Sequence, residues 1–301
     1  MNFADKLIKA VSAKGNSVCV GLDPRLDNLP NELKLNVDRS NSKSVADAFE
    51  QFCRSVVDVV APIVPIVKPQ SAFFEAMGPA GVQALANVVE YASSQNLLVL
   101  MDAKRGDIGS TATAYASAYL GSERAGLVSD ALTVNPYMGV DTLEPFVDAC
   151  KGNDKGIFVL VKTSNPGSGH FQDQKLGDSG ATLFESVATE IEKLNEGAIG
   201  DHGYGPVGAV VGATYPEQLV DLRKKMPHSI LLIPGFGAQG GGVDDVRGGF
   251  EGNGMGALVN SSRGIIFAYE KVEEGQANWQ QAIEAECRKT AELLSVDALK
   301  S

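Results

Sequence analysis

Acidic and basic side chains crowd one short stretch of the sequence, VLMDAKRGDIGST at residues 99–111. Its apolar beginning is typical of a strand that is buried on both faces, and the charged side chains follow at once. In an extended strand end, Asp102 and Lys104 would point the same way, whereas Asp107 opens the following loop. Lys68, after an earlier apolar run, supplies a second cation. An array of alternating ammonium and carboxylate groups is costly to bury unless each charge meets a partner or a substrate, so it predicts a reaction centre.

The chemistry best suited to such an array is proton delivery. A buried lysine flanked by carboxylates stays protonated and can give its proton to a carbanion. The other interpretation is a satisfied salt-bridge network at the surface, with no reaction. Arg105 has no assigned role in either interpretation, and contact with solvent or a loop is expected for it.

Eight short apolar runs, nearly all continuous rather than alternating, predict the elements that would position these residues. They are Ser17–Leu22, Ile63–Val67, Leu97–Met101, Ala131–Val134, Gly156–Val161, Val207–Val211, Ile230–Ile233 and Ala257–Val259. Segments with helical period separate most of them: Val45–Val60, Pro79–Ser94, Thr111–Leu120, Asp141–Ala149, Gly180–Leu194, Pro216–Lys225 and Asp244–Gly248.

This alternation predicts an α/β protein with a (β/α)8 TIM barrel, formed as a single domain by residues 1–301. A doubly wound parallel sheet is the alternative, but the first strand-to-helix turn lacks G-x-G-x-x-G. The stretch MNFADKLIKAVSAKG (1–15) is expected to form an amphipathic helix, with Phe3, Leu7, Ile8 and Val11 on one side. Two polar stretches, Asn28–Lys43 and Asn195–Pro206, are interpreted as insertions, and the role of the first is left open.

Polar residues follow at least six of the predicted strands. In such barrels the active site is built from the carboxyl-terminal strand ends, so these residues would converge on one mouth. They are Asp23, then Lys68, then Asp102, Lys104 and Asp107, then Lys162, Thr163 and Ser164, then PGFGAQGGG (234–242) and finally NSSRGI (260–265). One such residue could simply bind a loop, but six strand ends together predict an active site.

The last two strand ends have the features of a phosphate site. Pro234–Gly242 contains five glycines in nine residues, so its backbone N–H groups can approach a ligand closely. Arg263 can bind two phosphate oxygens, and the start of the following helix would add its dipole. The alternative is a merely flexible turn, but these two loops are the usual phosphate site of such barrels.

Composition excludes several other classes of protein. The net charge, 26 − 37 = −11, argues against a nucleic-acid surface, although local cations can still hold a small anion. No apolar stretch approaches the roughly 18 residues of a membrane span, so no membrane association is expected. The four cysteines are far apart and have no companion histidine, which predicts neither disulfides nor zinc and favours the cytoplasm.

The stretch DAKRGDIGST (102–111) resembles the D-x-K-x-x-D-I-x-x-T signature of the orotidine 5′-phosphate decarboxylase family. GLDPRL (21–26), VKPQSAFFE (67–75), KTSNPGSG (162–169) and PGFGAQGG (234–241) are similar to the longer-chain branch of that family, in the same order. The likeness extends from about Val18 to Arg263. It implies a barrel homodimer that converts orotidine 5′-phosphate to UMP and CO₂ in pyrimidine biosynthesis, without metal or organic cofactor.

The resemblance also implies roles for single residues. Lys104 would protonate C6 of the pyrimidine, and Asp102 would lie against the substrate carboxylate. The other implied roles are a ribose contact by Asp23 and Lys68, a pyrimidine contact by Ser164, a further substrate contact by Pro234, phosphate binding by Gln239 and Arg263, and entry into the partner subunit's site by Asp107, Ile108 and Thr111. Loop Asn165–Gly177 would close over the substrate.

Two alternatives stay open. The first is an Mg²⁺-dependent phosphosugar decarboxylase or lyase with the same D-x-K-x-x-D motif. As family knowledge, those relatives have a glutamate metal ligand after the second strand, where this chain has Lys68. The second is an inactive barrel that only binds a nucleotide, although every acid and base position of the array is filled.

Overall fold

The computed structural model describes residues 1–122, 126–236, 242–273 and 275–300, with only the backbone of residue 179. Within these ranges eight parallel strands pair in chain order, and the eighth pairs with the first, so the sheet closes into a barrel. The predicted (β/α)8 barrel is thereby confirmed. The strands are β1 (Val18–Leu22), β2 (Ile66–Pro69), β3 (Leu98–Arg105), β4 (Ala131–Val134), β5 (Gly156–Lys162), β6 (Val207–Val211), β7 (Leu231–Pro234) and β8 (Ala257–Ser261).

Two strands differ from their predicted bounds in a way that matters for the site. β2 begins three residues later than the apolar run, because Ile63 and Val64 close the turn after the preceding helix by donating backbone N–H groups to the carbonyl of Val60. β2 also continues two residues beyond the apolar run, to Pro69, so Lys68 lies inside the strand. β3 continues four residues beyond its apolar run, so its charged residues are part of the strand.

Helices cover the outside of the barrel, and the predicted helical segments are confirmed to within a few residues. They are α1 (Phe3–Lys14), α2 (Asn31–Lys34), α3 (Ser42–Val60), α4 (Ser71–Glu75), α5 (Gly78–Ser94), α6 (Gly109–Leu120), α7 (Glu144–Asn153), α8 (Gly169–Gln172), α9 (Leu183–Leu194), α10 (Pro216–Lys225), α11 (Val243–Arg247), α12 (Arg263–Ile266), α13 (Trp279–Leu293) and α14 (Val296–Leu299). Valine, leucine and phenylalanine side chains fill the layer between strands and helices.

The predicted amphipathic helix is α1, and its apolar side packs at the amino-terminal end of the barrel. The side chain of Asn2 caps it by accepting the N–H of Asp5 at 2.9 Å. Phe3 contacts Phe158 of β5 edge to face, with ring centroids 6.2 Å apart. A Cβ on Gly156, the first residue of β5, would clash with the Phe3 ring, which requires glycine there. The opposite, carboxyl-terminal end of the barrel is left to the charged residues.

The insertion after β1 packs against the carboxyl-terminal part of the chain. Leu29 is fully buried, and the Asn28 side chain donates to Glu270 at 2.9 Å. Glu32 of α2 accepts the indole N–H of Trp279 at 2.6 Å. The insertion thus connects the end of β1 with the elements that follow β8 through hydrogen bonds. Among the described helices, none is long and apolar enough to cross a membrane.

Candidate active site

Asp102 is the centre of the charged cluster at the carboxyl-terminal end of the barrel. Its Oδ2 atom accepts hydrogen bonds from Lys68 Nζ at 2.7 Å and from Gln70 Nε2 at 2.9 Å. Its Oδ1 atom accepts from Lys104 Nζ at 2.6 Å and from Thr133 Oγ1 at 2.9 Å. Three adjacent strands contribute these groups, so the carboxylate is held in one orientation.

The cluster is buried on one side and open on the other. Lys68 is 4 % exposed and Asp102 is also buried, whereas the Lys104 side chain is 47 % exposed. Lys104 can therefore reach a molecule in the barrel mouth while Lys68 supports the carboxylate from below. This is the arrangement expected of one reacting ammonium and one anchoring ammonium.

The two buried groups keep their charges. Burial alone would raise the pKa of Asp102, but the ammonium groups of Lys68 and Lys104 oppose it and hold that pKa well below its ordinary range. Burial alone would lower the pKa of Lys68, but Asp102 and then Asp23 raise it above its ordinary value. At neutral pH the cluster is an ionised carboxylate between two ammonium groups.

The conformation of Lys104 differs from the expected extended strand end. Its φ is 47°, in the left-handed region that residues other than Gly, Asn and Asp rarely adopt. Asp102 and Lys104 do meet, as predicted. They meet across a local distortion of β3, however, and not by simple alternation along a regular strand.

Asp23 lies next to the cluster, close enough to Lys68 for their charges to interact. One carboxylate oxygen, Oδ1, is buried and has no hydrogen-bond partner within the described structure. The residue contributes to the raised pKa of Lys68, so the two groups interact electrostatically. Gly21, two residues earlier, packs so tightly on the Ser262 side chain that a Cβ would clash there. The ends of β1 and β8 are thereby brought together.

The remaining residues of the motif lie away from the cluster. Asp107 uses Oδ1 to accept the N–H of Ile108, the next residue, at 2.8 Å. Ile108 is 62 % exposed, and Thr111, in the first turn of α6, is exposed as well. Of the four charges expected in the array, the structure joins Lys68, Asp102 and Lys104 and leaves Asp107 outside.

The loop after β5 contains Ser164 and is fastened at its base by Lys162. Lys162 is buried, forms an ion pair with Asp173, and lies 5.2 Å from the centre of the Tyr215 ring. Ser164 packs against Gly212, where a Cβ would approach the Ser164 Cβ to 2.9 Å. The loop is therefore anchored at one end, beside the end of β6.

Of the predicted phosphate site, the structure describes residues 234–236, 242 and 261–263. Pro234 ends β7 and pairs with Asn260 of β8, so the two loops start side by side. Arg263 is exposed and lines a cavity of about 340 Å³ together with Arg25 and Lys271. Helix α12 is a single turn, so the side chain rather than a helix dipole would hold an anion. Gln239, assigned to the phosphate by the resemblance, is outside the described residues.

Sequence patterns missed several residues around the site. Arg105 is not left to solvent: it forms an ion pair with Glu75 of α4, and its Nε donates to the Tyr119 hydroxyl of α6 at 3.2 Å. The sequence pattern does not mark Gln70 or Thr133 as site residues, although each donates a hydrogen bond to Asp102. A polar residue inside the otherwise apolar run ALTV was the available signal for Thr133.

The fold and this site define a (β/α)8 enzyme whose reaction centre is a set of charged side chains on adjacent strand ends. The profile of the orotidine 5′-phosphate decarboxylase / HUMPS family matches residues 16–277, and the chain belongs to this family.

Relatives and solved structures agree with that membership. The chain is 56 % identical over 292 residues to an orotidine 5′-phosphate decarboxylase of Rhodopirellula baltica, covering 95 % of this chain and 96 % of the relative. It is 40 % identical over 279 residues to one of Caldicellulosiruptor bescii, covering 90 % and 91 % of the two chains. A crystal structure of a protein described as a possible orotidine 5′-phosphate decarboxylase from Streptomyces avermitilis superposes with a TM-score of 0.82 at 35 % identity, covering 99 % of this chain and 95 % of that one.

Proposed function

We propose that this chain decarboxylates orotidine 5′-phosphate to UMP and CO₂, a step of pyrimidine biosynthesis. The observation that carries the proposal is the ion cluster of Lys68, Asp102 and Lys104, in which a half-exposed ammonium is fixed beside a buried, ionised carboxylate. Family membership gives the substrate, and the cluster supplies what its chemistry needs.

Loss of CO₂ breaks the bond between C6 and the carboxylate carbon and leaves the electron pair on C6. That pair occupies an sp² orbital that the ring π-system cannot delocalise, so the transition state needs a positive charge beside C6. The Lys104 ammonium meets this need without moving, because Asp102 already holds it. It then transfers a proton to C6, which gives UMP and a neutral amine that solvent reprotonates.

Asp102 has a second effect on the substrate. Two negative charges about 4 Å apart at an effective dielectric constant near 20 repel each other by about 4 kcal/mol. The repulsion between Asp102 and the substrate carboxylate is relieved when CO₂ leaves. We assign it a secondary role, because charge stabilisation by Lys104 acts directly on the developing electron pair.

We propose the other binding roles from the family resemblance, and the described residues that carry them lie on the barrel rim. Asp23 has a buried carboxylate oxygen that finds no partner among the described residues, which suits a ribose hydroxyl donor, and Lys68 lies beside it. Ser164 would bind the pyrimidine edge, and Pro234 would contact the substrate. Arg263 would bind the phosphate, and Gln239 is proposed for the same group on the family resemblance. Binding of the distant phosphate would stabilise the closed form of loop Asn165–Gly177.

A magnesium-dependent phosphosugar reaction is not favoured by the donor set. Such an enzyme needs carboxylates free to bind the cation, but both oxygens of Asp102 already accept two hydrogen bonds each. The buried ammonium of Lys68 stands beside that carboxylate and would repel a divalent cation. In the part of the chain that the structure describes, no group of three histidine, cysteine or acidic residues could hold a metal.

Decarboxylation in the presence of a chelator tests this function. We expect purified protein to convert orotidine 5′-phosphate to UMP and CO₂ at the same rate with and without EDTA, followed by the loss of orotate absorbance and by trapped CO₂. Activity that disappears with EDTA and returns with Mg²⁺ would favour the magnesium-dependent alternative.

We also propose that the enzyme is a homodimer in which Asp107, Ile108 and Thr111 enter the partner's site. Ile108 is exposed, and so are the apolar side chains of Tyr137 (80 %), Met138 and Val140 after β4. The two segments are adjacent, since Gly106 packs against the loop after β4. An exposed apolar patch of this kind is typical of a subunit interface.

Mixed dimers test the shared site. Lys104→Ala and Asp107→Ala are each expected to be inactive alone, but a hybrid dimer contains one site with Lys104 from one subunit and Asp107 from the other. After subunit exchange at equal concentrations, roughly a quarter of the wild-type activity per subunit is expected. No recovery in a mixture whose exchange is verified by differently tagged subunits would rule out the shared site.

A cytoplasmic location is part of the same proposal. The four cysteines are buried and free, and burial raises the pKa of the Cys19 and Cys287 thiols to about 12. Unpaired thiols suit a reducing compartment.

A further inference from the structure

Strand β3 carries an irregularity at its catalytic residues. Met101 pairs with Leu132 of β4, and the next paired residue, Arg105, pairs with Val134. Three residues of β3, from Asp102 to Lys104, therefore stand opposite a single residue of β4. Bulges of this kind redirect side chains and leave backbone groups without their regular ladder partners.

Thr133 is the one β4 residue opposite this bulge. It is 1 % exposed, and its hydroxyl oxygen accepts the backbone N–H of Lys104 at 2.9 Å. The same hydroxyl donates to Asp102 Oδ1, also at 2.9 Å. Because the oxygen already accepts the amide proton, its own proton is directed to the carboxylate. A β-branched side chain has a stiff χ1, so the hydroxyl stays in place.

The four groups form a closed ring of hydrogen bonds. The Lys104 N–H binds Thr133, Thr133 binds Asp102, and Asp102 accepts the Lys104 ammonium at 2.6 Å. The backbone of Lys104 and its own side-chain tip are thereby linked through two other residues. The position of the ammonium depends on the left-handed φ of Lys104. The hydrogen bond from the Lys104 N–H to Thr133 stabilises that conformation.

We propose that Thr133 is a positioning residue for the reaction, which fixes the bulge so that the Lys104 ammonium and the Asp102 carboxylate keep their mutual geometry. The proposal rests on the decarboxylase function proposed above. Thr133 acts through Lys104 and Asp102 rather than by touching the substrate. Its removal should therefore slow the chemical step more than it weakens binding of a ligand without the reacting carboxylate.

The test compares hydroxyl and methyl groups at this position. Thr133→Val keeps the shape and removes the hydroxyl, and we expect kcat to fall by about 10- to 100-fold, the equivalent of one hydrogen bond to a charged group. KM and the dissociation constant for UMP should change less than about threefold, since uniform binding is left intact. Thr133→Ser restores the hydroxyl and should keep kcat within about threefold of wild type.

Control variants distinguish a positioning role of Thr133 from a general loss of folding or stability. Thr290→Val removes the hydroxyl of another buried threonine, on α13, and should leave kcat unchanged. Thr133→Ala removes the hydroxyl together with the γ-methyl group. It serves as the hydroxyl-free variant if Thr133→Val does not fold. The inference is overturned by a wild-type kcat in the variant without the hydroxyl, or by an equal loss in Thr133→Ser. Absence of decarboxylation in the wild type would instead refute the proposed function itself.

Discussion

Replacing Lys104 by alanine is expected to reduce kcat for orotidine 5′-phosphate by at least about 10³-fold while UMP still binds. In the proposed mechanism, the variant loses both the positive charge beside C6 and the proton that C6 receives. Binding should persist, because the residues proposed to contact the phosphate and the ribose lie on other strand ends. Folding should persist too, since Asp102 keeps Lys68, Gln70 and Thr133 as partners. Single-turnover kinetics and calorimetric titration with UMP measure the two effects separately.

Two further variants make this result specific to a lysine at position 104. Lys104→Arg keeps a positive charge that can still pair with Asp102, but the guanidinium holds its proton too tightly to act as an acid. We therefore expect it to recover part of the charge stabilisation and little turnover. Lys43→Ala removes an exposed lysine from α3 and should behave as wild type. Turnover of Lys104→Ala within tenfold of wild type would remove Lys104 from the proton-donor role.

The fold could be predicted because its signals are repeated eight times. Nearly every strand contains a continuous apolar run, since both of its faces are covered, and most helical segments stand between two such runs. Strand boundaries were less predictable where an apolar residue closes a helix instead of opening a strand, as Ile63 does before β2. The placement of Lys68, Asp102 and Lys104 in one cluster followed from the barrel rule that strand ends converge.

What could not be predicted depends on backbone irregularity and long-range pairing. The left-handed φ of Lys104 accompanies the bulge between β3 and β4. That bulge depends on the register of two strands that are about 30 residues apart in sequence. The contact of Thr133 with Asp102 has the same origin. Arg105 is a similar case: its partner Glu75 belongs to α4, and nothing local to the motif marks that pair.

Replacing Asp102 by asparagine is expected to lower the free energy of unfolding by about 3 kcal/mol at neutral pH, besides abolishing turnover. The change leaves the Lys68 ammonium buried without its ion-pair partner. The folded pKa of Asp102 lies below its unfolded value, so its stabilisation is present above about pH 4 and is lost as pH falls through the folded pKa. The folded pKa of Lys68 is raised, so its contribution persists until the pH exceeds about 10.4. Urea unfolding from pH 7 down to pH 3 measures the difference.

The stability gap between wild type and Asp102→Asn should therefore be widest near neutral pH and should narrow as the solution becomes acidic. A double variant, Lys68→Met with Asp102→Leu, separates the cost of an unpaired buried charge from the loss of a favourable pair. Replacing both charges by apolar side chains should recover most of the lost stability, because neither ion then has to be desolvated. It should not recover turnover, since Lys104 no longer has a carboxylate to fix it. A gap that stays constant with pH, or a double variant as unstable as Asp102→Asn, would mean that the pair does not contribute through its charges. In the expected case, the buried ion pair adds little stability over apolar side chains at the same two positions. The reaction, and not stability, then explains why the two charges are present.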